Sequence, residues 1–478
     1  MAAEGGLGDG QVEGAAGHRR LAGEPEDDAQ PDRVGERVHD GEQVEVPLVG
    51  MEQRGGRTAG HAPQYPPPGP GAEVAHVHFV VNMGYCRDHC SPRHGRRHAA
   101  APPTTRRKDS AMPPRTPSAP IGVGIIGLSA SGGWAARAHV PALAAVPGFE
   151  VRALSASTPE SARAAGEKYG IPLAFGSAEE LVRRDEVDLV VVTVKVPHHR
   201  ELALTALEAG KMVLSEWPLG NGLAEAEELA AVAEAKGVRT FVGLQARSAP
   251  QIRYVRDLIA DGYVGEVLST SVIASGRRWG AEFEPGAEYL LDRTNGASML
   301  TIPFGHTIDA VTMALGEFTD LDATLATRRP KVCNEVTGEP ARTDVPDQIA
   351  VSGVLEGGAV ASVHFRGGLS RATNFHWEIN GTDGDLLLTG DSGHLQFGQV
   401  TVHGARGRDT ALTELPVPAV YSTLPALAGR GTEMAYTVAH AYEQIRADLA
   451  NGTRHAPDFA HAVRRHRLLD RIERAAGF

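Results

Sequence analysis

The residues from Gly127 to Trp134, within PIGVGIIGLSASGGWAARAHVPALAAVP (120–147), are the part of the chain best suited to hold an anion. Gly127, Ser129, Ser131, Gly132 and Gly133 follow an apolar run directly and open into an Ala-rich one ending in Pro147. In such a turn backbone N–H groups approach a pyrophosphate closely, and a helix starting there offers its positive end to the same anion. The spacing departs from G-x-G-x-x-G, because Ser129 stands at the second glycine position and Gly132 at the third, with Gly133 and Trp134 next. A strand, a turn and a helix are predicted here, and with them a dinucleotide site.

What must position that turn is legible downstream. FEVRALSA (149–156), VDLVVVTV (187–194), MVLSEWPL (212–219) and TFVGLQA (240–246) are short Val/Leu-rich runs, separated by the amphipathic stretches PESARAAGEKYG, HRELALTALEAG and LAEAEELAAVAEAKG. Regular alternation of this kind predicts a parallel sheet covered on both faces, in which ligands lie beyond the carboxyl ends of the strands. Gly127, Ser155, Thr193, Glu216 and Gln245, at or near strand ends, then face one crevice. Ser157, Lys195 and His198 stand just past two of those ends and join the expected cofactor-binding set, as do Trp217 and Trp134.

After about Gln245 the pattern changes. PQIRYVRDLIADG and PFGHTIDAVTMALG read as short helices, among the alternating runs EVLSTSVIASG, DQIAVSGVLEGGAVASVHFRGG and FHWEINGTDGDLLLTGDSGHLQFGQVTVHG. The turns EGG, TDGD and GDSG join neighbouring runs as hairpins. The expected fold is α/β: a disordered leader (1–118), an N-terminal Rossmann dinucleotide-binding domain (119–246), and a C-terminal α+β domain with a mainly antiparallel sheet (247–478). PDFAHAVRRHRLLDRIERAAGF closes the sequence as an amphipathic helix, with Phe459, Val463, Leu468, Leu469 and Ile472 turned back toward the first domain.

Bulk properties narrow the function classes. The chain has 478 residues, a formal charge of -12 and three cysteines. The acidic balance argues against a direct nucleic-acid partner, no apolar run is long enough to span a bilayer, and the cysteine usage suggests a reducing compartment without a disulfide framework. A cytoplasmic protein is expected. The leader is rich in Gly, Pro, His and charged residues and shows no helical or strand period. Met112, which opens MPPRTPSAPIGVGIIG, is an alternative start that would leave the leader untranslated. Cys86, Cys90, His94 and His98 lie at four-residue steps, too evenly spaced for the usual paired Cys/His zinc ligands, and no metal site is expected.

VGIIGLSASGGWAARAH, VVVTVKVPHH, SEWPL, LQARSAP, EYLLD and PFGHTID, in this order over residues 119–478, resemble the glucose-fructose oxidoreductase and inositol dehydrogenase family (Gfo/Idh/MocA). Within it they are most similar to the branch of the fungal galactose-regulon repressor. The resemblance implies a site with E-K-P after a strand, where the lysine reaches the substrate hydroxyl, and an aspartate four residues before a histidine. This chain carries Glu216, Trp217 and Pro218, so the lysine is missing, and Ile302 stands where the aspartate would be. His306 is then the leading base, with Asp309 one turn on to orient it, and Lys195 the second catalytic candidate. Trp217, Arg247, Tyr289 and Asp292 join His306 and Asp309 as substrate-side candidates. The second strand ends in Ser155, Ala156 and Ser157 without a carboxylate for the ribose hydroxyls and without an arginine for a 2′-phosphate, leaving NAD and NADP both open.

Two functions follow. The leading one is an NAD(P)-dependent oxidoreductase acting on a sugar, inositol or related polyol by hydride transfer. The alternative is a non-catalytic NAD(P)-binding sensor or transcriptional regulatory protein resembling the galactose-regulon repressor. The broad sheet of residues 347–404 would need a cover, so a homodimer or higher homo-oligomer is expected.

Overall fold

IGVGII (β1, Ile121–Ile126) is buried from its second residue to its last, as a strand covered on both faces must be. In the computed structural model, which describes residues 119–397 and 400–478, β1 lies at the centre of a six-stranded sheet. Its companions are β2 (Phe149–Ser155), β3 (Leu173–Phe175), β4 (Leu189–Val192), β5 (Met212–Glu216) and β6 (Thr240–Gly243), in the order β3-β2-β1-β4-β5-β6. All five pairings are parallel. The expected leader, the alternative start at Met112 and the Cys86–His98 cluster lie outside the described residues.

The helices between these strands carry their own start and stop signals. Helix α1 (Val140–Ala145) continues a π-helical turn, Ala135–His139, that begins directly after Trp134. Helix α2 (Pro159–Tyr169) is opened by a reciprocal Thr158–Ser161 capping box and closed by Gly170 in the left-handed region. Helices α3 (Ala178–Val182), α4 (His199–Glu208) and α5 (Leu223–Lys236) complete the cover. The sequence reading missed β3 and α3, each too short to show a period.

Helix α6 (Pro250–Ala260) leads into β7 (Val267–Gly276), the first strand of the second sheet. Two small strands follow later in space but not in order: β8 (Glu282–Phe283) pairs with β10 (Lys331–Asn334), which pairs with β11 (Pro340–Arg342). Between them run α7 (Gly305–Leu315), entered through a second π-helical turn at Leu300–Phe304, and β9 (Phe318–Ala326). The large sheet is completed by β12 (Gln348–Leu355), β13 (Val360–Gly367), β14 (Phe375–Gly381), β15 (Gly384–Gly390), β16 (Val400–Arg406) and β17 (Thr413–Glu414). Its order is β17-β16-β15-β14-β7-β13-β12-β9, antiparallel except where β7 runs parallel to β13.

The β12–β13 and β14–β15 hairpins turn at EGG and TDGD as expected. GDSG does not make a tight hairpin. It opens a longer connection from β15 to β16, and the residues after it, His394 to Gln396, are buried. On the inner face Trp377 is fully enclosed and donates its indole N–H to Thr270 Oγ1 at 2.9 Å, while Ile273 and Val360 stay exposed on the outer one.

Two long helices end the described chain, α8 (Ala435–Asn451) and α9 (Phe459–Ala475). Helix α8 was not foreseen in the sequence, and it packs on α1 and on the short helical turn Gln245–Ser248. Helix α9, capped by Asp458, packs against both α5 and β9, so one helix seals elements of both sheets.

Candidate functional site

The turn after β1 is shaped by backbone geometry. Gly127, Gly132 and Gly133 have φ of 96°, 117° and 102°, a region that disfavours side chains. A Cβ at Gly132 or Gly133 would meet no atom within 4 Å, so the turn presents bare backbone to open space. Ser129 and Ser131 share a hydroxyl contact of 2.8 Å, and Tyr169 and Lys168 of α2 hold the carbonyls of Ser129 and Ala130 at 3.2 Å and 2.6 Å. The turn is therefore fixed from behind by α2. It fits a pyrophosphate, whose close approach a side chain at Gly132 or Gly133 would obstruct.

Neighbouring strand ends come to the same edge. Thr193 Oγ1 donates to the Ile126 carbonyl at 2.7 Å, and Gly127 N–H to that of Ser155 at 2.9 Å, tying β4 and β2 to the start of the turn. Ser155 is buried, and Ser157 and His198 are exposed, the latter 3.0 Å from Glu201. Lys195 is exposed with its Nζ 4.6 Å from the centre of the Tyr289 ring, which links the loop after β4 to the short helical turn Glu288–Leu291. Burial pushes the Tyr289 phenol up, keeping it protonated at neutral pH.

Glu216, at the end of β5, is the hub of the crevice. The Trp134 indole N–H donates to Oε2 at 2.7 Å, and Gln245 Nε2 lies 2.8 Å from both oxygens. His139 Nε2 is 3.2 Å from Oε1, close enough for attraction but off the line of a hydrogen bond, and its Nδ1 lies 2.8 Å from the Tyr442 hydroxyl. His139 and Tyr442 were not among the expected site residues. The π-helical turn and α8 bring them there, and α8 had no sequence signal strong enough to place Tyr442.

Trp217 does not present a face for a sugar to stack on. Its ring is 5% exposed, donates Nε1–H to the Thr301 carbonyl at 2.6 Å and packs on His466 at 4.7 Å between centroids. Gly305 makes room for it, since a Cβ there would lie 2.7 Å from the indole nitrogen. Trp217, expected on the cofactor and substrate side, is instead a packed core residue. His199, also unforeseen, joins the two loops, with Nδ1 2.7 Å from the Pro218 carbonyl and Nε2 3.0 Å from that of Val194.

Asp309 and Arg247 are corrected in the same way. Asp309 makes no hydrogen bond to His306 among the described residues. Arg247 Nη1 lies 3.2 Å from both its oxygens, His461 Nε2 2.6 Å from Oδ1, and Arg465 Nε 3.3 Å from Oδ1. Burial opposes ionisation of this carboxyl, and the charges of Arg247, His461 and Arg465 outweigh that opposition and hold it below the usual carboxylate range. The cluster fastens α7 to α9. Asp292 is likewise occupied, its Oδ1 accepting from Thr294 N–H at 2.8 Å and Thr294 Oγ1 at 2.6 Å.

His306, the expected base, is enclosed as a residue of α7. It sits in the first turn of α7, 3% exposed, and its Nδ1 has no partner among the described residues. Burial pushes the ring down to about 4, while the Glu216 and Asp309 charges offset part of that effect, so the imidazole is neutral at pH 7. Beside it runs a row of rings that sequence reasoning missed. Trp134 is 6.1 Å from Phe397, Phe397 4.9 Å from His394, and His394 5.9 Å from Trp279.

A parallel sheet of order β3-β2-β1-β4-β5-β6, a glycine turn after its first strand, and a mainly antiparallel second sheet define a dinucleotide-binding protein of two sheets. Residues 121–244 match the oxidoreductase family with an NAD-binding Rossmann fold, and residues 250–390 match the C-terminal domain of Gal80p. The chain is 37% identical over 286 residues to the dehydrogenase AclE of Aspergillus oryzae, covering 57% of this chain and 77% of that one. It is 30% identical over 317 residues to the galactose/lactose metabolism regulatory protein GAL80 of Saccharomyces cerevisiae, covering 62% and 73% respectively. The crystal structure of a super-repressor mutant of Gal80p from the same yeast superposes with a TM-score of 0.68 at 26% identity, covering 75% of this chain and 96% of that one. The chain belongs to the Gfo/Idh/MocA oxidoreductase family, whose members similar to it include both dehydrogenases and galactose regulators.

Proposed function

We propose that this protein is an NAD(P)-dependent oxidoreductase acting on a sugar, inositol or related polyol. The observation that carries the reading is His306: a buried neutral imidazole whose Nδ1 has no partner among the described residues, close enough to Glu216 to feel its charge. When bound, the dinucleotide supplies the acceptor for a hydride. The turn Gly127–Gly133 binds its phosphates, with Ser155, Ser157, Thr193, Lys195 and His198 along its length. Gln245 and Trp134 hold the Glu216 carboxylate in place. His306 takes the substrate hydroxyl proton on Nδ1, and Glu216 offsets part of the cost of charging that ring in a buried site. Lys195 and Tyr289 stand at the outer edge, where they contact substrate or ribose hydroxyls.

Several finer points belong to the same reading. The first sheet with its helices (119–246) forms the dinucleotide-binding domain, and the remainder (247–478) the substrate and oligomerisation domain. The outward face of the large sheet, carrying Ile273 and Val360, pairs two subunits. No helix among the described residues is long and apolar enough to cross a membrane. The formal charge of -12 suits a cytoplasmic enzyme without a direct nucleic-acid partner.

A second reading is favoured by Trp217. The position that holds the family's lysine is filled by a ring locked in the core, and Asp309 is committed to α9, which suits a dinucleotide-binding sensor without catalysis. Titration of the full chain with NAD and NADP, followed by absorbance at 340 nm against a sugar and polyol panel, separates the two. Turnover that drops at least a hundredfold in His306→Ala supports the enzyme; dinucleotide binding without turnover across the panel supports the sensor.

A further inference from the structure

His394 lies on the connection between β15 and β16, outside every motif that identifies the family. It is 4% exposed, yet neither ring nitrogen has a hydrogen-bond partner among the described residues. The imidazole stacks with two rings, Phe397 at 4.9 Å with an interplanar angle of 20° and Trp279 at 5.9 Å and 12°. The two nitrogens on the ring edge are buried as well, so a polar group must enter between the packed side chains to meet them. Trp279 reaches this stack from a left-handed backbone, φ 60°, which a tryptophan adopts only when its surroundings enforce it.

The stack is fastened to the element that carries His306. Thr307 Oγ1 donates to the Gly393 carbonyl at 3.4 Å, so the residues following and preceding the two histidines are in contact. Gly393 N–H in turn donates to the Ser275 carbonyl at the end of β7, at 2.9 Å. Two buried imidazoles, each with a nitrogen unpartnered among the described residues, thus stand on neighbouring segments joined by the Thr307–Gly393 bond. Burial, then the nearby His306, Arg278 and Arg277, push His394 down to about 3.

We propose that His394 is a substrate-contacting residue, forming with His306 a two-imidazole clamp for neighbouring hydroxyls of an uncharged polyhydroxylated ligand. The inference rests on the oxidoreductase reading for the role of His306. A neutral imidazole offers one N–H donor and one acceptor nitrogen, and a hydroxyl both donates and accepts, so adjacent hydroxyls can satisfy both rings at once. An ammonium-bearing ligand is disfavoured by Arg277 and Arg278, whose charge already reaches His394. Buried polar atoms without partners are costly, which gives the clamp its selectivity for ligands able to hydrogen-bond them.

The test uses the full chain with His394→Phe, which keeps a ring in the stack and removes both nitrogens, and His394→Asn, which keeps hydrogen bonding. Fluorescence from Trp134 and Trp279, at the two ends of the ring row, is titrated with NADH and then with D-galactose, D-glucose and myo-inositol; KM is measured wherever turnover occurs. NADH affinity is expected to stay within about twofold in both variants, which also shows that they fold. Affinity for the polyol that saturates the wild type is expected to fall at least tenfold in His394→Phe and less in His394→Asn. Unchanged polyol affinity in His394→Phe overturns the clamp and leaves the oxidoreductase reading standing. A polyol signal lost in His394→Phe without turnover in any form supports the clamp and sinks the enzyme. No polyol signal in the wild type overturns the clamp.

Discussion

Acid should destabilise this protein well above the pH at which its carboxylates protonate. His306, His394 and His466 are buried and neutral, pushed by desolvation to about 4, about 3 and about 4. In the unfolded chain each returns to about 6.5, so as pH falls the unfolded state binds protons that the native state refuses. The stabilisation is complete above about pH 6.5 and is lost as pH falls through the window down to the folded values. Between pH 7 and pH 5 each ring accounts for about 2 kcal/mol and the three together for about 6 kcal/mol, comparable with the whole stability of many domains. Asp309 contributes nothing to this slope, because its depressed carboxyl loses stability only below the ordinary carboxylate range. His466→Phe isolates one ring: its Nε2 has no partner among the described residues and its ring packs on Trp217, so phenylalanine keeps the contact and removes the titration. Urea unfolding at pH 7, 6 and 5 should show the variant losing about 2 kcal/mol less than the parent over that interval. Identical pH slopes for parent and variant, or a parent with no loss down to pH 5, would refute the reasoning.

Other expectations follow from packing and charge. Asp309→Asn leaves Arg247 and Arg465 without their shared counter-charge, and should cost about 3–5 kcal/mol in chemical denaturation; a loss under about 1 kcal/mol would mean that the cluster relaxes freely. Gly305→Ala forces a methyl against the Trp217 indole, with an expected loss of about 1–3 kcal/mol seen as a lower melting temperature. Ala156→Asp places a carboxylate beyond β2, and the ratio of NAD to NADP affinity should rise by about tenfold or more, measured as two dissociation constants.

The first sheet was legible because each long strand is a short apolar run and each long helix has a cap or a glycine stop, as with Thr158 and Gly170 around α2. Length set the limit: three residues of β3 carry no period. Helix α8 was hidden for another reason. AYTVAHAYEQIRADLAN buries residues on much of its circumference, so no single polar face announces it. At the site, local spacing pointed to His306 and the glycine turn, and wrongly paired Asp309 with His306. A one-turn offset from His306 suggested a shared face, while the true partner Arg465 lies on a helix more than a hundred residues away and invisible to any local rule. Trp217 counted as a site candidate from its place just past a strand end, and only the distant Gly305 shows that its ring has room in the core. His394 directly follows the GDSG turn in a run that reads as a strand, and its enclosure depends on Trp279 and Phe397.

The placement of β7 has a kinetic consequence. This strand is synthesised first among those of the large sheet, yet it sits at the centre, with β13 and β14 as its two neighbours. Both partners leave the ribosome about ninety to a hundred and ten residues later, so neither edge of β7 can be satisfied while the intervening chain is being made. A nascent polypeptide carrying VLSTSVIASG with both edges open is a template for any other extended segment, including the same strand of a neighbouring polysome product. Yield in a heterologous host should therefore respond to translation speed and chaperone supply more sharply than the stability of the finished molecule would suggest.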